Sequence, residues 1–177
     1  MWRPNANTLQ KPHPTSARQL DERGRDCNLR QNSGDETMAE YDNNNIFAKI
    51  LRGELPAQKV YEDEHTLAFL DIMPRAPGHT LIIPKKPARN LLDIDPESLA
   101  HVIKTAKKIA IAGKKAFNAD GITMQQFNET AGGQVVFHLH VHVIPRHKDV
   151  PMKPAASAME KPEVLAEHAK LLKAALG

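Results

Sequence analysis

The segment FHLHVHVIPR, residues 137–146, carries a histidine at every second position, namely His138, His140 and His142. Apolar residues stand between these histidines. Because alternate side chains of a strand point to the same face, the pattern predicts a strand with three histidines on one face and apolar residues on the other. Neighbouring side chains on one face stand about 7 Å apart, so the three imidazoles can share one phosphate group or one metal ion.

Three explanations fit such a face: a chance surface cluster, a metal site, or nucleophilic catalysis on phosphorus. Neutral imidazole is a common metal ligand, and three histidines with an open position form a known zinc arrangement. The domain offers no cysteine ligand and no HExxH motif, but several carboxylates are available. Catalysis on phosphorus needs a histidine nucleophile with donors for the phosphate charge beside it. The loop ETAGGQ, residues 129–134, precedes the histidines, and its glycines allow close backbone approach to a phosphate.

The surrounding sequence predicts an α+β fold. Apolar runs predict strands at 58–63 and 66–72 (a hairpin), 79–86, 121–129 and 135–146, and helical periodicity predicts helices at 45–53, 95–117 and 162–175. The long helix has Asp95 as its N-cap and Pro96 at its first position. Because the strands come in neighbouring groups, we expect an antiparallel sheet of about five strands, with one long helix, a short amino-terminal helix and a carboxy-terminal helix extension.

Composition divides the chain into three parts. Residues 1–42 are polar and aperiodic, and we expect them to be a disordered tail. Residues 43–147 form the domain, and residues 148–177 form a connector and the last helix. The single cysteine, Cys27, rules out an internal disulfide, and no apolar run approaches a membrane span. With a net charge of only +3 and no basic stripe, we expect a cytoplasmic protein that binds neither membrane nor nucleic acid.

The histidine segment resembles the signature of the histidine triad family of nucleotide hydrolases and transferases. The similarity covers about 100 residues, from Asn45 to Arg146, and includes the stretches NIFAKILRGELPAQKVYEDEHTLAFLDIMPRAPGHTLIIPKK and FNETAGGQVVFHLHVHVIPR. Its upstream half is most similar to the branch that hydrolyses nucleoside phosphoramidates. The resemblance therefore implies a purine nucleotide substrate, no cofactor, and a homodimer in which two sheets join.

The resemblance also assigns roles to individual residues. It implies that His140 is the nucleophile on the α-phosphorus, that His142 contacts this phosphate, and that His138 and His79 support the network. Asp71 is expected to bind the ribose hydroxyls, since a carboxylate can accept two hydrogen bonds from neighbouring hydroxyls. The expected wall of the base pocket is apolar and consists of Ile46, Phe47, Ile50, Phe69 and Ile72. The expected phosphate and leaving-group contacts are Asn128, Gly133 and Gln134.

The chain departs from that branch at three points. Val135 stands where relatives often carry serine or threonine, the tail 147–177 is longer, and the cysteines that hold zinc in some bacterial relatives are absent. We therefore predict no metal. Three alternatives to the phosphoramidase function stay open: a dinucleoside polyphosphate hydrolase, a nucleotide-binding or interaction protein with weak catalysis, and a metal-dependent enzyme.

Overall fold

A computed structural model describes residues 40–177, so the predicted tail lies outside the described residues except for residues 40–42. Five strands form one antiparallel sheet in the order β1-β2-β3-β5-β4. The strands are β1 (Lys59–Glu62), β2 (Thr66–Leu70), β3 (Thr80–Pro84), β4 (Gly121–Gln125) and β5 (Val141–Arg146). The helices are α1 (Ile46–Leu51), α2 (Pro96–Ala116) and α3 (Pro162–Leu176). This architecture confirms the predicted α+β fold with its long helix and its carboxy-terminal helix.

The helix α2 begins where the sequence predicted. The Asp95 side chain accepts a hydrogen bond from the Ser98 N–H, and Pro96 occupies the first helical position, where its missing N–H costs nothing. One face of α2 buries Val102, Ala106 and Ile109 against the sheet. α3 packs on α2 and β1, with Leu165, Ala169 and Leu172 buried. Both long helices therefore cover the same face of the sheet.

The opposite face of the sheet is covered in part by α1. Phe47 and Ile50 of α1 pack on strand residues that point away from α2, which are Leu67, Phe69, Leu81 and Ile83. His142 is the register partner of Leu81 in the antiparallel pair of β3 and β5. Because partners directly opposite each other project to one face, the His142 side chain lies on the α1 side. The histidine site is therefore on the α1 face.

The predicted strand over 135–146 was wrong in length, since β5 begins only at Val141. The pairing of β5 with β3 ends at the pair Ile82–Val141. Continuing that register would bring Pro84 opposite Leu139, and proline has no N–H to donate to a ladder. The Leu139 N–H donates instead to the Ala88 carbonyl, at 2.8 Å. His138 and His140 therefore lie on an unpaired segment that leads into the strand.

The predicted strand over 121–129 was also too long. β4 ends at Gln125, so residues 126–129 belong to the loop that follows.

Gly78, at the turn before β3, has a backbone conformation that favours glycine. It has φ of +77°, and a Cβ built on it would stand 2.1 Å from the Phe117 ring. Only glycine fits this position, which immediately precedes His79.

None of the helices within residues 40–177 combines the length and the apolar character that crossing a membrane requires.

Candidate active site

The protonation of His140 follows from its one hydrogen-bond partner. His140 Nδ1 lies 2.7 Å from the His138 carbonyl oxygen. A carbonyl oxygen only accepts, so Nδ1 carries the proton and Nε2 keeps its lone pair. The ring is 7% exposed, and burial lowers its pKa below the usual histidine value. His140 is therefore a neutral imidazole at pH 7 with a free nucleophilic nitrogen.

His79 and His142 form a hydrogen-bonded pair beside it. The Arg75 backbone N–H donates to His79 Nδ1 at 3.2 Å, so the neutral His79 ring carries its proton on Nε2. This Nε2–H donates to His142 Nδ1, at 2.9 Å. His142 must then carry its own proton on Nε2. The centroids of the His140 and His142 rings are 4.9 Å apart, so the pair presents an N–H donor next to the nucleophile.

Burial keeps this pair uncharged. It lowers the pKa of His79 to about 4, helped by the positive charge of Arg75. It lowers the pKa of His142 to about 3, with the neighbouring histidines as further causes. Because an imidazolium ion is costly in a buried site, both rings stay neutral until an anion binds beside them.

Asp71, expected to bind ribose, stands at the end of β2. One carboxylate oxygen accepts the Met73 N–H at 2.9 Å, which caps the turn after the strand. The other lies 3.4 Å from His79 Nδ1. The side chain is 17% exposed, so it keeps acceptor capacity toward the open side. Asp71 therefore combines a strand-end cap with a position beside the histidines.

His138 is fully buried and is fixed from both ring nitrogens. Its Nε2 donates to the Pro84 carbonyl at 3.0 Å, and its Nδ1 accepts from the Tyr41 hydroxyl at 2.5 Å. Burial lowers the pKa of His138 to about 4. Through its carbonyl, His138 in turn holds His140. Its geometry is that of a side chain that positions His140, and its role in the reaction stays a prediction.

The sequence did not identify Tyr41, which our boundary assigned to the tail. The only signal was one aromatic residue within the polar run EYDNNN. Burial raises the pKa of the Tyr41 hydroxyl, which keeps it protonated as the donor to His138.

In the loop after β4, the side-chain amides of Asn128 and Gln134 form hydrogen bonds with nearby backbone groups. Gln134 accepts the Glu129 N–H at 2.8 Å and donates to the Arg89 and Val136 carbonyls, at 2.7 and 3.1 Å. Asn128 accepts the Leu91 N–H at 3.0 Å. In this conformation both amides hold the loop in shape and have few groups left for a phosphate.

A strained residue and an ion pair complete this loop. Glu129 has φ of +58°, an unusual value for a residue with a side chain. Its carboxylate accepts two hydrogen bonds of 2.8 Å from Arg89 and one of 2.6 Å from Asn90. Gly133 has φ of +89°, which glycine adopts without strain. Sequence reasoning missed the contacts of Arg89 and Asn90 with Glu129, because these partners are about 40 residues apart along the chain.

The five expected wall residues fall into two groups. Phe47, Ile50 and Phe69 are buried in the core of the α1 face, and the Phe47 ring meets His140 edge-on at 5.2 Å between centroids. Ile46 and Ile72 are 49% and 48% exposed. The structure therefore buries three of the expected wall residues in the core and leaves two at the surface.

One residue cluster has the composition of a metal site. Asp71, His79 and His142 each offer one ligand atom, and these atoms all lie within 4.8 Å of one another. A cation held by all three competes with the hydrogen bond between His79 and His142. The donor set fits a transition metal, and the geometry fits the neutral histidine pair equally well.

The fold and the site define a class: an α+β protein with neutral, hydrogen-bonded histidines on a partly covered face of an antiparallel sheet. Residues 52–149 match the model of the HIT domain, which covers more than half of the chain. The protein therefore belongs to the histidine triad family, a family of nucleotide-binding hydrolases and transferases.

Three relatives illustrate the similarity. A Hit-like protein from Bartonella henselae, described as involved in cell-cycle regulation, is 58% identical, with a TM-score of 0.74 over 76% of this chain and 98% of that one. A zinc-bound histidine triad protein from Mycobacterium smegmatis is 37% identical, with a TM-score of 0.66 over 75% of this chain and 93% of its own. Adenylylsulfatase HINT3 of Arabidopsis thaliana is 38% identical over 140 residues, or 78% of this chain and 71% of its own.

Proposed function

We propose that the protein cleaves nucleotides at the α-phosphorus through a covalent intermediate on His140. The observation that carries this proposal is the 2.7 Å hydrogen bond from His140 Nδ1 to the His138 carbonyl. This bond fixes the tautomer that leaves Nε2 free to attack. A nucleophile that needs no deprotonation at pH 7 suits a two-step substitution.

The reaction has two balanced steps. In the first, His140 Nε2 forms a bond to phosphorus while the bond to the leaving group breaks. An amine leaving group takes up a proton, and the negative charge of the bound nucleotide favours the protonated form of His142 that can supply it. In the second step, water attacks phosphorus and gives up a proton to His142, the P–N bond breaks with its electron pair returning to His140 Nε2, and a nucleoside monophosphate is released. In this account no step requires a metal or a cofactor.

The substrate we propose is a purine nucleoside phosphoramidate, as the family resemblance implies. The experiment is a panel of adenosine phosphoramidate, dinucleoside polyphosphates and adenosine phosphosulfate, followed by quenching to trap an acid-labile nucleotidyl group on His140. Faster turnover of dinucleoside polyphosphates would favour the polyphosphate hydrolase instead. Turnover that stops with a chelator and returns with zinc would favour the metal-dependent alternative. Tight nucleotide binding with no turnover across the panel would favour the binding protein.

A second candidate substrate class has its own support. The Arabidopsis relative is named an adenylylsulfatase and aligns over 78% of this chain. An adenylyl sulfate has the same α-phosphorus but an anionic leaving group, which departs without a proton. The panel distinguishes the two classes by their relative kcat/KM.

We also propose that two copies associate through β4, which stands at one edge of the sheet. A groove of about 190 Å³ lies beside it, and its exposed apolar residues include Leu91, Ile103 and Met124. An open strand edge next to apolar surface suits a self-complementary interface. Light scattering should show a dimer, and Met124→Asp should shift it toward monomer. Met159→Asp, at an exposed site on the connector, serves as the control.

The remaining expectations stay predictions. We propose that the protein acts in the cytoplasm without nucleic acid, in keeping with its single cysteine and its mild charge. The division at residues 42 and 147 also stays a prediction, with Tyr41 as a contact on the tail side of the first boundary.

A further inference from the structure

Arg75 places a guanidinium group at the edge of the histidine site. Its Nη1 donates to Gln125 Oε1 at 3.1 Å, and its Nε donates to the Lys153 carbonyl at 3.0 Å. Gln125 on β4 is the register partner of His142 on β5, so their side chains share one face. The guanidinium is therefore anchored to the direct neighbour of His142.

The charge of Arg75 is not neutralised by a carboxylate among residues 40–177. Arg52 and Arg89 differ in this respect, because each forms a salt bridge, to Glu54 and Glu129 respectively. The two bonds of the Arg75 guanidinium use two of its five N–H donors and both go to neutral oxygens. The positive charge reaches the site, since it is among the causes that lower the pKa of His79 and of His142.

The connector before α3 holds this arginine in place. The Lys153 N–H donates to the Arg75 carbonyl at 2.9 Å, while the Arg75 side chain donates back to the Lys153 carbonyl. The Glu160 N–H donates to the Ile72 carbonyl at 2.8 Å, on the same loop. The connector thus fixes the loop that carries Asp71 and Arg75, and a rigid cation loses little freedom when it binds an anion.

We propose that Arg75, braced by Gln125 and the Lys153 backbone, forms a leaving-group subsite that accelerates cleavage of nucleotides whose leaving group is an anion, such as sulfate or phosphate, in addition to the phosphoramidates proposed above. This proposal rests on attack at the α-phosphorus by His140. An adenylyl sulfate loses sulfate with the electron pair of its P–O bond while the P–N bond to His140 forms, and no proton is needed. A fixed guanidinium stabilises the charge that develops on the departing oxygens. It gives no such help to a departing amine, which needs a proton.

Kinetics with two substrates tests the subsite. Arg75→Gln keeps the backbone N–H that orients His79 and removes the guanidinium, with its charge and its two hydrogen bonds. The variant should lower kcat/KM for adenosine 5′-phosphosulfate about 10- to 100-fold, the range of a lost charged hydrogen bond. It should leave kcat/KM for adenosine 5′-phosphoramidate unchanged or raise it, because loss of the Arg75 charge favours the protonated His142 that supplies a proton to the amine. Arg75→Lys should restore part of the phosphosulfate activity. The control is Arg146→Gln, at the end of β5, where the side chain donates to the Val150 carbonyl. An equal loss for both substrates would overturn the proposal.

A binding measurement separates this proposal from the proposed reaction. His140→Asn removes the nucleophile, so calorimetry can compare AMP with adenosine 5′-phosphosulfate without turnover. The protein with Arg75 should bind the phosphosulfate about tenfold or more tightly than AMP, and adding Arg75→Gln should abolish this preference while leaving AMP affinity unchanged. That result supports the subsite even if the wild type turns over neither adenosine 5′-phosphosulfate nor the phosphoramidate, which would refute only the catalytic proposal. Equal affinity for both ligands with Arg75 present would refute the subsite.

Discussion

The two faces of the sheet bury similar aliphatic side chains but differ in what covers them. The face under α2 and α3 is closed by two long helices, and its core is mainly aliphatic, with one buried hydrogen bond of 2.9 Å between the Thr66 and Thr105 hydroxyls. The other face is covered by α1, a helix of 6 residues, and carries His142 next to buried aliphatic residues. Four histidines lie on this side, each bonded so that one tautomer is fixed. We therefore expect the closed face to contribute most of the stability and the partly covered face to carry the chemistry.

The largest effect is expected on the histidine face, from His140→Ala. Because the variant lacks the nucleophile, turnover at the α-phosphorus should fall by about 10³-fold or more, while nucleotide affinity stays within about threefold. Steady-state kinetics and calorimetry measure the two quantities. His147→Ala, at an exposed histidine just beyond β5, is the matched control and should keep full activity. Turnover at the wild-type rate in His140→Ala would refute the nucleophile assignment.

A substitution in the core of the closed face should lower the stability of the protein and leave its catalysis unchanged. Ile109 is 1% exposed on α2, and Ile109→Ala should lower the free energy of unfolding by about 2–4 kcal/mol through the lost burial and the cavity left behind. Below the melting range, kcat should be unchanged. Urea unfolding together with kinetics checks both halves. Ile111→Ala, on the same helix but 64% exposed, should change stability by less than about 0.5 kcal/mol. A large fall in kcat for Ile109→Ala would show that the two faces are coupled.

Acid should distinguish the faces, because the fully buried histidines lie on only one of them, although burial also lowers the pKa of the half-buried His168 on α3. The pKa values of His79 and His138 are about 4, below the unfolded value of 6.5. Between pH 6.5 and 4 the unfolded chain therefore binds protons that the folded chain does not, and the free energy of unfolding falls as the pH falls. Each of these groups contributes a slope of up to about 1.4 kcal/mol per pH unit in that window.

Two variants make the pH experiment specific. His79→Gln removes one of the displaced titrations, so urea unfolding at several pH values should show a shallower slope by about that amount. Ile109→Ala should lower stability at every pH and keep the wild-type slope. If both variants keep the slope, the buried histidines do not cause the acid sensitivity.

The sequence predicted the elements of the closed face better than those of the partly covered face, because the signals for the closed face are local. The start of α2 follows from Asp95 and Pro96, two local signals that need no tertiary contact. The alternation around His140 correctly indicated extended backbone, but it cannot show whether a neighbouring strand is present to pair with. Here the pairing stops because Pro84 lacks an N–H, so the segment before Val141 is extended and unpaired.

The contacts that fix the histidine tautomers were beyond prediction from sequence for a similar reason. The carbonyl of His138 and the N–H of Arg75 are main-chain groups, and every residue type except proline offers both. Their use depends on how distant segments meet. The residue types that line the site could be named in advance, but not the backbone bonds that set their protonation.

The smallest expected effect concerns Tyr41, the partner of His138 that the sequence did not reveal. Tyr41→Phe removes the hydroxyl that donates to His138 Nδ1 and leaves a buried acceptor unpaired, at a cost of about 1–2 kcal/mol in the free energy of unfolding. Because His138 holds His140 through its carbonyl and not through its ring, kcat should fall by less than about tenfold. The matched control is Tyr61→Phe on β1, whose hydroxyl donates to Asp63 at 3.1 Å in a half-buried hairpin and should cost less. Urea unfolding measures the loss in the free energy of unfolding for both variants. If Tyr61→Phe loses as much as Tyr41→Phe, the hydrogen bond from Tyr41 to His138 stabilises the protein no more than a half-buried one does.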